Sequence, residues 1–262
     1  MNSIRDQKLH YLVNMLNSID PRGIKGIDKK AIKDENEVLI EEIAALQKVL
    51  FAEEKHSILI ILQGLDASGK DGTVRTIFSG INPLGCQVHS FKKPTEEEFA
   101  HDFLWRVHKI VPKNGMIHIF NRSHYEDILV PTVEGYYTKE RIERRYDHIN
   151  NFERLLTDGG CTILKFYLHI SKEEQLERLT ERIENPVKHW KHNEGDWESR
   201  KKWDNYMDVY ENIFKKCDEV PWHIIPADRN WLKVNGVAKV LLKALQDLKL
   251  KWPDLETEKF KK

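Results

Sequence analysis

Residues 57–73, Ser-Ile-Leu-Ile-Ile-Leu-Gln-Gly-Leu-Asp-Ala-Ser-Gly-Lys-Asp-Gly-Thr, constrain this chain more than any other segment. The apolar run from Ile58 to Leu62 has the composition of a buried strand. It ends at Gly64, which opens the pattern Gly64-x-x-x-x-Gly69-Lys70. Such a loop turns successive N–H groups inward around an anion, and the helix that follows adds the positive end of its dipole. Gly64, Ala67, Ser68 and Gly69 then form a phosphate-binding loop of Walker A type, and Lys70 brings a mobile charge to the phosphate oxygens. The bare spacing recurs by chance in roughly one chain in ten of this length. The strand before it and the amphipathic helix after it (Val74, Ile77, Phe78, Ile81) set this case apart.

The residue after the lysine is Asp71, where the common loop has Ser or Thr to hold Mg²⁺; Gly72 and Thr73 follow. Asp66 puts a second carboxylate inside the loop. A carboxylate beside phosphate is electrostatically poor unless a cation lies between them, so Asp66 is a candidate Mg²⁺ ligand. The alternative is an Asx turn that shapes the loop.

Strands alternate with helices along the chain, the pattern of a parallel sheet covered on both faces. Strands are expected at 57–63, 86–91, 116–120, 161–170 and 222–225. Helices are expected at 35–53, 69–81, 99–111, 138–156 and 231–250. At 262 residues, this suits a single α/β core with appendages: an N-terminal helical extension over 1–56, a core of 57–170 and 218–262, and a helical insertion over 171–217. The 42 basic and 42 acidic residues balance, which does not point to nucleic acid as a partner. The three cysteines are far apart and form no Cys-x-x-Cys pair. That argues against zinc or a disulfide framework and suits a reducing cytoplasm. No 18-residue apolar run and no signal peptide are visible, so no membrane partner is expected.

In open α/β sheets, ligands gather at the carboxyl ends of the strands. The second strand ends in Lys92-Lys93-Pro94, and the third in Asn121-Arg122-Ser-His-Tyr-Glu126-Asp127. Hydrolytic phosphate-loop proteins usually place Asp where Asn121 stands. Asn can hydrogen-bond a metal-bound water but adds no charge. Arg122 can bridge phosphate oxygens in bidentate fashion, or pair with Glu126 or Asp127. Asn121, Glu126 and Asp127 are nucleotide-site candidates, the last two also as metal or positioning groups.

The insertion starts at Ser171, with Glu174 placed for a capping box. Leu176, Leu179 and Ile183 fall on one stripe of the next helix, and Arg178 and Arg182 on another. Lys188 and Lys191 follow. A solvated charged face is one reading; a lid that closes over phosphates and contributes arginine-finger charge is the other, and its place between two strands favours the lid.

Three segments together, Gly64-Leu-Asp-Ala-Ser-Gly-Lys-Asp-Gly72, Asn121-Arg-Ser-His-Tyr-Glu-Asp-Ile-Leu-Val130 and His169-Ile-Ser-Lys-Glu-Glu-Gln175 with Arg178, Arg182, Asn185-Pro186, Lys188 and Trp190-Lys191, resemble the family-2 polyphosphate kinases. The resemblance spans roughly residues 20–255. It implies a thymidylate-kinase-like phosphate-loop fold with a five-stranded parallel sheet and a helical lid. It implies reversible phosphoryl transfer between inorganic polyphosphate and adenine or guanine nucleotides, with Mg²⁺ (or Mn²⁺ in its place), in a homo-oligomer. By resemblance, Asp66 takes part in metal and phosphate handling, Lys70 and Arg122 contact the transferring phosphates, and Arg178 acts from the lid. Asn121 followed by Ser-His-Tyr-Glu-Asp is similar to the subgroup that phosphorylates both nucleoside mono- and diphosphates.

The residues agree with that chemistry on their own. Phosphoryl transfer needs in-line placement and charge neutralisation, and an acceptor phosphate is already a nucleophile, so no catalytic base is required. A long polyanion calls for further cations along its approach, for which Arg75, Lys92, Lys93, Lys188 and Lys191 are candidates. The competing expectation is an ATP-dependent nucleoside or nucleotide kinase of the same fold. A guanine-nucleotide switch is disfavoured by the lack of Asn-Lys-x-Asp.

Overall fold

The computed structural model describes residues 15–255; the outer ends of the expected extension and core, 1–14 and 256–262, lie outside the described residues. Five parallel strands form one sheet: β1 (Ser57–Gln63), β2 (Cys86–Ser90), β3 (Ile117–Asn121), β4 (Cys161–His169) and β5 (Trp222–Pro226), in the order β2-β3-β1-β4-β5. All seven residues of β1 are buried, as its position at the centre of the sheet requires. Ile58 is in register with Ile117 on one side and Thr162 on the other. The order puts the ends of β2 and β3 on one flank of the β1 loop, and the ends of β4 and β5 on the other.

Helix α1 (Lys29–Glu53) starts earlier than the apolar spacing suggested, because Asp28 caps it by accepting Lys30 N at 2.8 Å. It lies along α10 (Asn230–Asp247), where Asn36 Nδ2 donates to Trp231 O and Asn235 Nδ2 to Asn36 Oδ1. Between β1 and β2, α2 (Lys70–Ile77) is shorter than the expected 69–81 and stops at Phe78. The helix expected over 99–111 is instead two short pieces, α3 (Glu96–Ala100) and α4 (Trp105–His108). Thr95 and Glu98 form a reciprocal capping box that starts the first piece early. The Asp102 carboxylate then accepts Leu104 N at 2.9 Å, a local bond that competes with helix continuation.

After β3 the chain forms α5 (Glu126–Glu134), a helix the sequence pattern did not suggest because Pro131 lies within it. Glu126 and Asp127 in its first turn suit the helix dipole, and Gly135 at φ +70° closes it. Helix α6 (Lys139–Asp158) precedes β4. The insertion then consists of α7 (Lys172–Glu184), a 3₁₀ segment (Pro186–Lys191), α8 (Glu194–Lys201) and α9 (Trp203–Lys216). Ser171 Oγ does accept Glu174 N, at 3.1 Å, but the Glu174 carboxylate turns to Arg178, so only half of the capping box forms. The expected Leu176–Leu179–Ile183 stripe is not a buried seam: Leu179 is buried, while Leu176 and Ile183 are exposed. The cysteines are free; Cys161 is buried and Cys86 only half-buried. Among the described residues no helix is long and apolar enough to cross a membrane.

Behind the β3 end lies a fully buried ionic group. Lys165 Nζ donates to Glu153 Oε2 (2.7 Å), Tyr125 OH (2.9 Å) and Cys217 O (3.0 Å), and Tyr125 OH donates to Glu153 Oε1 at 2.7 Å. Both charges are without solvent exposure. Removing one partner strands the other in a medium of low polarisability. Lys165→Met is expected to lose about 3–5 kcal/mol of stability, measured by urea denaturation. The Glu153→Leu/Lys165→Met double variant is expected to lose less than that single variant.

Candidate active site

The six carbonyls from Gly64 to Gly69 are all accounted for. Lys70 Nζ donates to Gly64 O (2.7 Å) and Leu65 O (3.2 Å), and Gln175 Nε2 to Asp66 O (3.0 Å). Arg178 donates to Ala67 O (3.0 Å) and Lys233 Nζ to Ser68 O (3.1 Å). Gly69 O accepts both N and Oγ1 of Thr73 at 3.0 Å. The N–H groups of Lys70, Asp71 and Gly72 are the first of α2 and have no carbonyl of their own helix to bond. They offer an anion site at the mouth of the loop.

Two glycines are required by space. Gly64 has φ +149°, and a Cβ there would meet Ser68 Oγ at 2.8 Å and Leu168 O at 2.9 Å. Gly69 has φ +93°, and a Cβ would lie 2.0 Å from Lys233 Nζ. Ala67 and Arg122 also hold positive φ, near +63° and +62°, a strained conformation for residues with a Cβ.

The loop opens into a cavity of about 810 Å³ that crosses both flanks of β1. From the β2–β3 flank come Ser90, Phe91, Lys92, Asn121 and Arg122; from the β4–β5 flank and the insertion come Arg178, Arg182, Lys188, Lys191, Asn230 and Lys233. Asp66, Ala67, Gly69, Lys70, Asp71, Gly72 and Arg75 form the middle. Most of the expected site residues are thus brought together around one space.

Nine cations and four carboxylates line it. Arg122 pairs with Asp66 at 2.5 Å, not with Glu126 or Asp127 through a direct ion pair. Burial favours the neutral guanidinium, but the Glu126 and Asp66 carboxylates more than offset this and raise the Arg122 pKa. Burial, with Arg122 nearby, lowers the Lys70 pKa, against the pull of Asp66, Glu126 and Asp71. A bound phosphate would supply the counter-charge that Lys70 lacks. Burial pushes the Glu126 carboxyl up, while Arg122 and Lys70 draw it down. Asn121 Nδ2 donates to Asp71 Oδ1 at 2.6 Å, so the neutral side chain at this position faces a carboxylate.

A match to the family model described as polyphosphate kinase 2 covers residues 26–253. The chain belongs to the polyphosphate kinase 2 family. Among its relatives, the AMP/ADP-polyphosphate phosphotransferase of Meiothermus ruber is 46% identical over 246 residues, 92% of each chain. The ADP-polyphosphate phosphotransferase of Rhodopseudomonas palustris is 40% identical over 82% of this chain and 79% of its own length. The crystal structure of polyphosphate kinase 2 from Arthrobacter aurescens superposes with a TM-score of 0.89 at 42% identity, over 93% of this chain and 89% of that one. The fold is therefore the expected phosphate-loop kinase type, and the chain is a phosphotransferase.

Several candidates lie elsewhere than expected. Asp127 does not face the phosphate loop. It pairs with Arg106 at 3.0 Å and lines a second cavity with Phe103, Tyr137 and Arg145, because it sits on the far side of the first turn of α5. Lys93 is not part of the cavity wall, although Lys92 is. Thr73 is buried and spends its hydroxyl on Gly69 O. Ser68 is buried and its Oγ has no hydrogen-bond partner. Arg182 pairs with Asp196 at 2.5 Å. Lys233 and Asn230 are among the site residues that the sequence pattern missed. They lie in the first turn of a helix expected only from 231 onward, and the one available signal was a lysine among apolar residues.

Arg178 is not free to act as a finger in this structure. Besides Ala67 O it donates to Ala227 O (2.9 Å), Asp228 O (2.8 Å) and Glu174 Oε1 (2.8 Å). It braces the phosphate loop against the start of α10. Arg178→Ala is therefore expected to destabilise the unliganded protein by about 1–3 kcal/mol, seen as a lower melting temperature, as well as lowering turnover. A finger that acts only in the transition state would leave the melting temperature unchanged.

Proposed function

We propose that this chain moves the terminal phosphoryl group of inorganic polyphosphate to AMP and to ADP, with Mg²⁺ and in either direction. The observation that carries this is the single cavity spanning both flanks of the phosphate loop, with cations on each side and the loop amides between. One polyanion approaches from each flank, and the transferred group sits over the loop. The relative named for both AMP and ADP, 46% identical, supports the acceptor range.

In this reading the amides of Lys70–Gly72 and the Lys70 ammonium hold the transferred phosphoryl, and Arg122 neutralises charge that builds on its equatorial oxygens. The attacking atom is a terminal oxygen of the nucleotide; the bond broken joins the last two phosphates of the donor, which leaves one unit shorter. One phosphoanhydride is broken and another formed, so the step runs both ways. Residues 171–217 act as the lid, closing Arg182, Lys188 and Lys191 over the donor. Assembly into a homo-oligomer belongs to the same proposal.

Among the described residues no group of three or more His, Cys, Asp or Glu side chains could hold a metal. Mg²⁺ does not need one, since it is commonly bound by one or two carboxylates plus substrate phosphates. Asp66 lines the cavity, and Arg122 takes its Oδ1, which leaves Oδ2 for a cation. The donor set fits Mg²⁺, with Asp66 as its protein ligand. When bound, Mg²⁺ would screen the phosphate oxygens from each other and from this carboxylate.

Purified protein with Mg²⁺, polyphosphate and either nucleotide is expected to yield ATP from ADP, and ADP followed by ATP from AMP, resolved by chromatography. Activity with ATP as donor to a nucleoside, with polyphosphate inert, would overturn the proposal. Asn121→Asp sets a second carboxylate against Asp71 and is expected to change the ratio of AMP to ADP turnover. An equal loss on both would remove Asn121 from acceptor choice. Asp66→Asn is expected to raise the Mg²⁺ concentration for half-maximal activity by about tenfold or more; titration curves that overlay would leave Asp66 a loop-shaping residue.

A further inference from the structure

Gln63 is a buried polar side chain that does not line the phosphate cavity, yet it joins four elements around it. It closes β1 directly before Gly64 and is 0% exposed. Its Nε2 donates to Ser123 Oγ at 3.0 Å, and its Oε1 accepts from Tyr210 OH at 3.1 Å. Ser123 Oγ also accepts Tyr125 N at 3.2 Å, so the residue after Arg122 is held from two sides. The same amide faces the Glu126 carboxylate in the first turn of α5 and stabilises its charge. Tyr210 belongs to α9, the last helix of the insertion, and is itself buried.

The three neighbours call for an amide. A carboxylate would set a second negative charge against Glu126. An apolar side chain would leave the Tyr210 hydroxyl and Ser123 Oγ without the group they share. A neutral group that donates on one side and accepts on the other satisfies all three, and a fully paired buried network of this kind rigidifies its surroundings. What it surrounds is Arg122. That residue holds φ +62°, which persists only where its neighbours over-determine it. The Glu126 charge acts on both Arg122 and Lys70.

We propose that Gln63 is a positioning residue for phosphoryl transfer. It fixes Ser123, and through it the strained Arg122, and it keeps the Glu126 charge directed at Arg122 and Lys70. Through Tyr210 it makes that alignment depend on the seating of α9. The insertion then reaches the site by two routes: α7 holds the loop carbonyls through Gln175 and Arg178, and α9 holds the β3 end through Tyr210 and Gln63. This rests on the proposed transfer reaction and adds to it a residue outside the cavity.

The test is a charge exchange in the full chain, read as kcat and KM with polyphosphate and ADP below the melting onset of each variant. Gln63→Glu and Glu126→Gln are each expected to lower kcat about tenfold or more, with KM for ADP held within about twofold, because alignment and not binding is lost. The double variant Gln63→Glu/Glu126→Gln again sets one amide against one carboxylate, and its kcat is expected to recover to within about threefold of the wild type. Tyr210→Phe removes one hydroxyl and keeps the ring packed against Tyr167; it is expected to lower kcat in the same way, by less. Should Gln63→Glu not fold alone, Glu126→Gln, the double variant and Tyr210→Phe decide the matter. If the double variant turns over no faster than Glu126→Gln, or if the variants raise KM and leave kcat unchanged, Gln63 only packs the end of β1 and the inference is overturned. Unchanged kcat in Tyr210→Phe would overturn the link to α9. A wild type without polyphosphate turnover would instead overturn the proposed activity, and the same exchange would then be read with the donor that the wild type does use.

Discussion

A phosphate loop works only if its carbonyls are occupied elsewhere, because any one of them left facing the ligand would repel it. Here the six carbonyls from Gly64 to Gly69 are taken up by side chains of three helices: Lys70 and Thr73 of α2, Gln175 and Arg178 of α7, and Lys233 of α10. These helices follow β1, β4 and β5, so the shape of a six-residue loop depends on the sheet order. The insertion is more than a cover in this arrangement. Its first helix carries two of the five side chains that hold the loop open, which ties movement of the insertion to the geometry of the anion site.

The strain at Arg122 is distributed in a similar way. Its backbone holds φ +62°, and its N–H donates to Leu62 O at 3.0 Å. The next residue is fixed by Gln63 Nε2, which donates to Ser123 Oγ, and Gln63 Oε1 accepts from Tyr210 OH. Two residues on, Tyr125 is locked into the buried Lys165–Glu153 pair. A residue in a left-handed conformation costs of order 1–3 kcal/mol and persists only where its surroundings over-determine it. Three independent anchors within four residues do so here, and they aim the guanidinium at Asp66.

Much of this was legible in the sequence because it is local. The β1 run and the glycine spacing specify a strand, a tight turn and a helix start within one segment, and Asn121-Arg122 can be placed at a strand end from the apolar run before it. What escaped depends on residues distant in the chain. Asp127 follows Glu126 directly, yet one step around a helix turns it to a different cavity, and the helix itself was masked by Pro131. Arg178 has the spacing of a mobile finger, but its four bonds go to carbonyls and a carboxylate that only the folded sheet brings near. Lys233 sits within an apolar helical stripe, where periodicity has no means of marking one position as facing a phosphate loop.

The contact between Asn121 and Asp71 joins the local and distant parts. The common loop has a hydroxyl after its lysine and a carboxylate at the neighbouring strand end. In this chain the carboxylate is in the loop and the strand end is neutral, with the two side chains 2.6 Å apart. The pair therefore carries one negative charge, not two, and the amide satisfies it without a cation. With Asp66 already held by Arg122, the middle of the cavity is near charge balance before any ligand binds, while Lys70 and Lys233 remain buried without carboxylate partners. Arg75, Lys92 and Lys191 also line the cavity with no ion pair among the described residues, so positive charge is spread over both flanks of the loop. Two phosphate chains that met over the loop would therefore each find cations, one set on each flank.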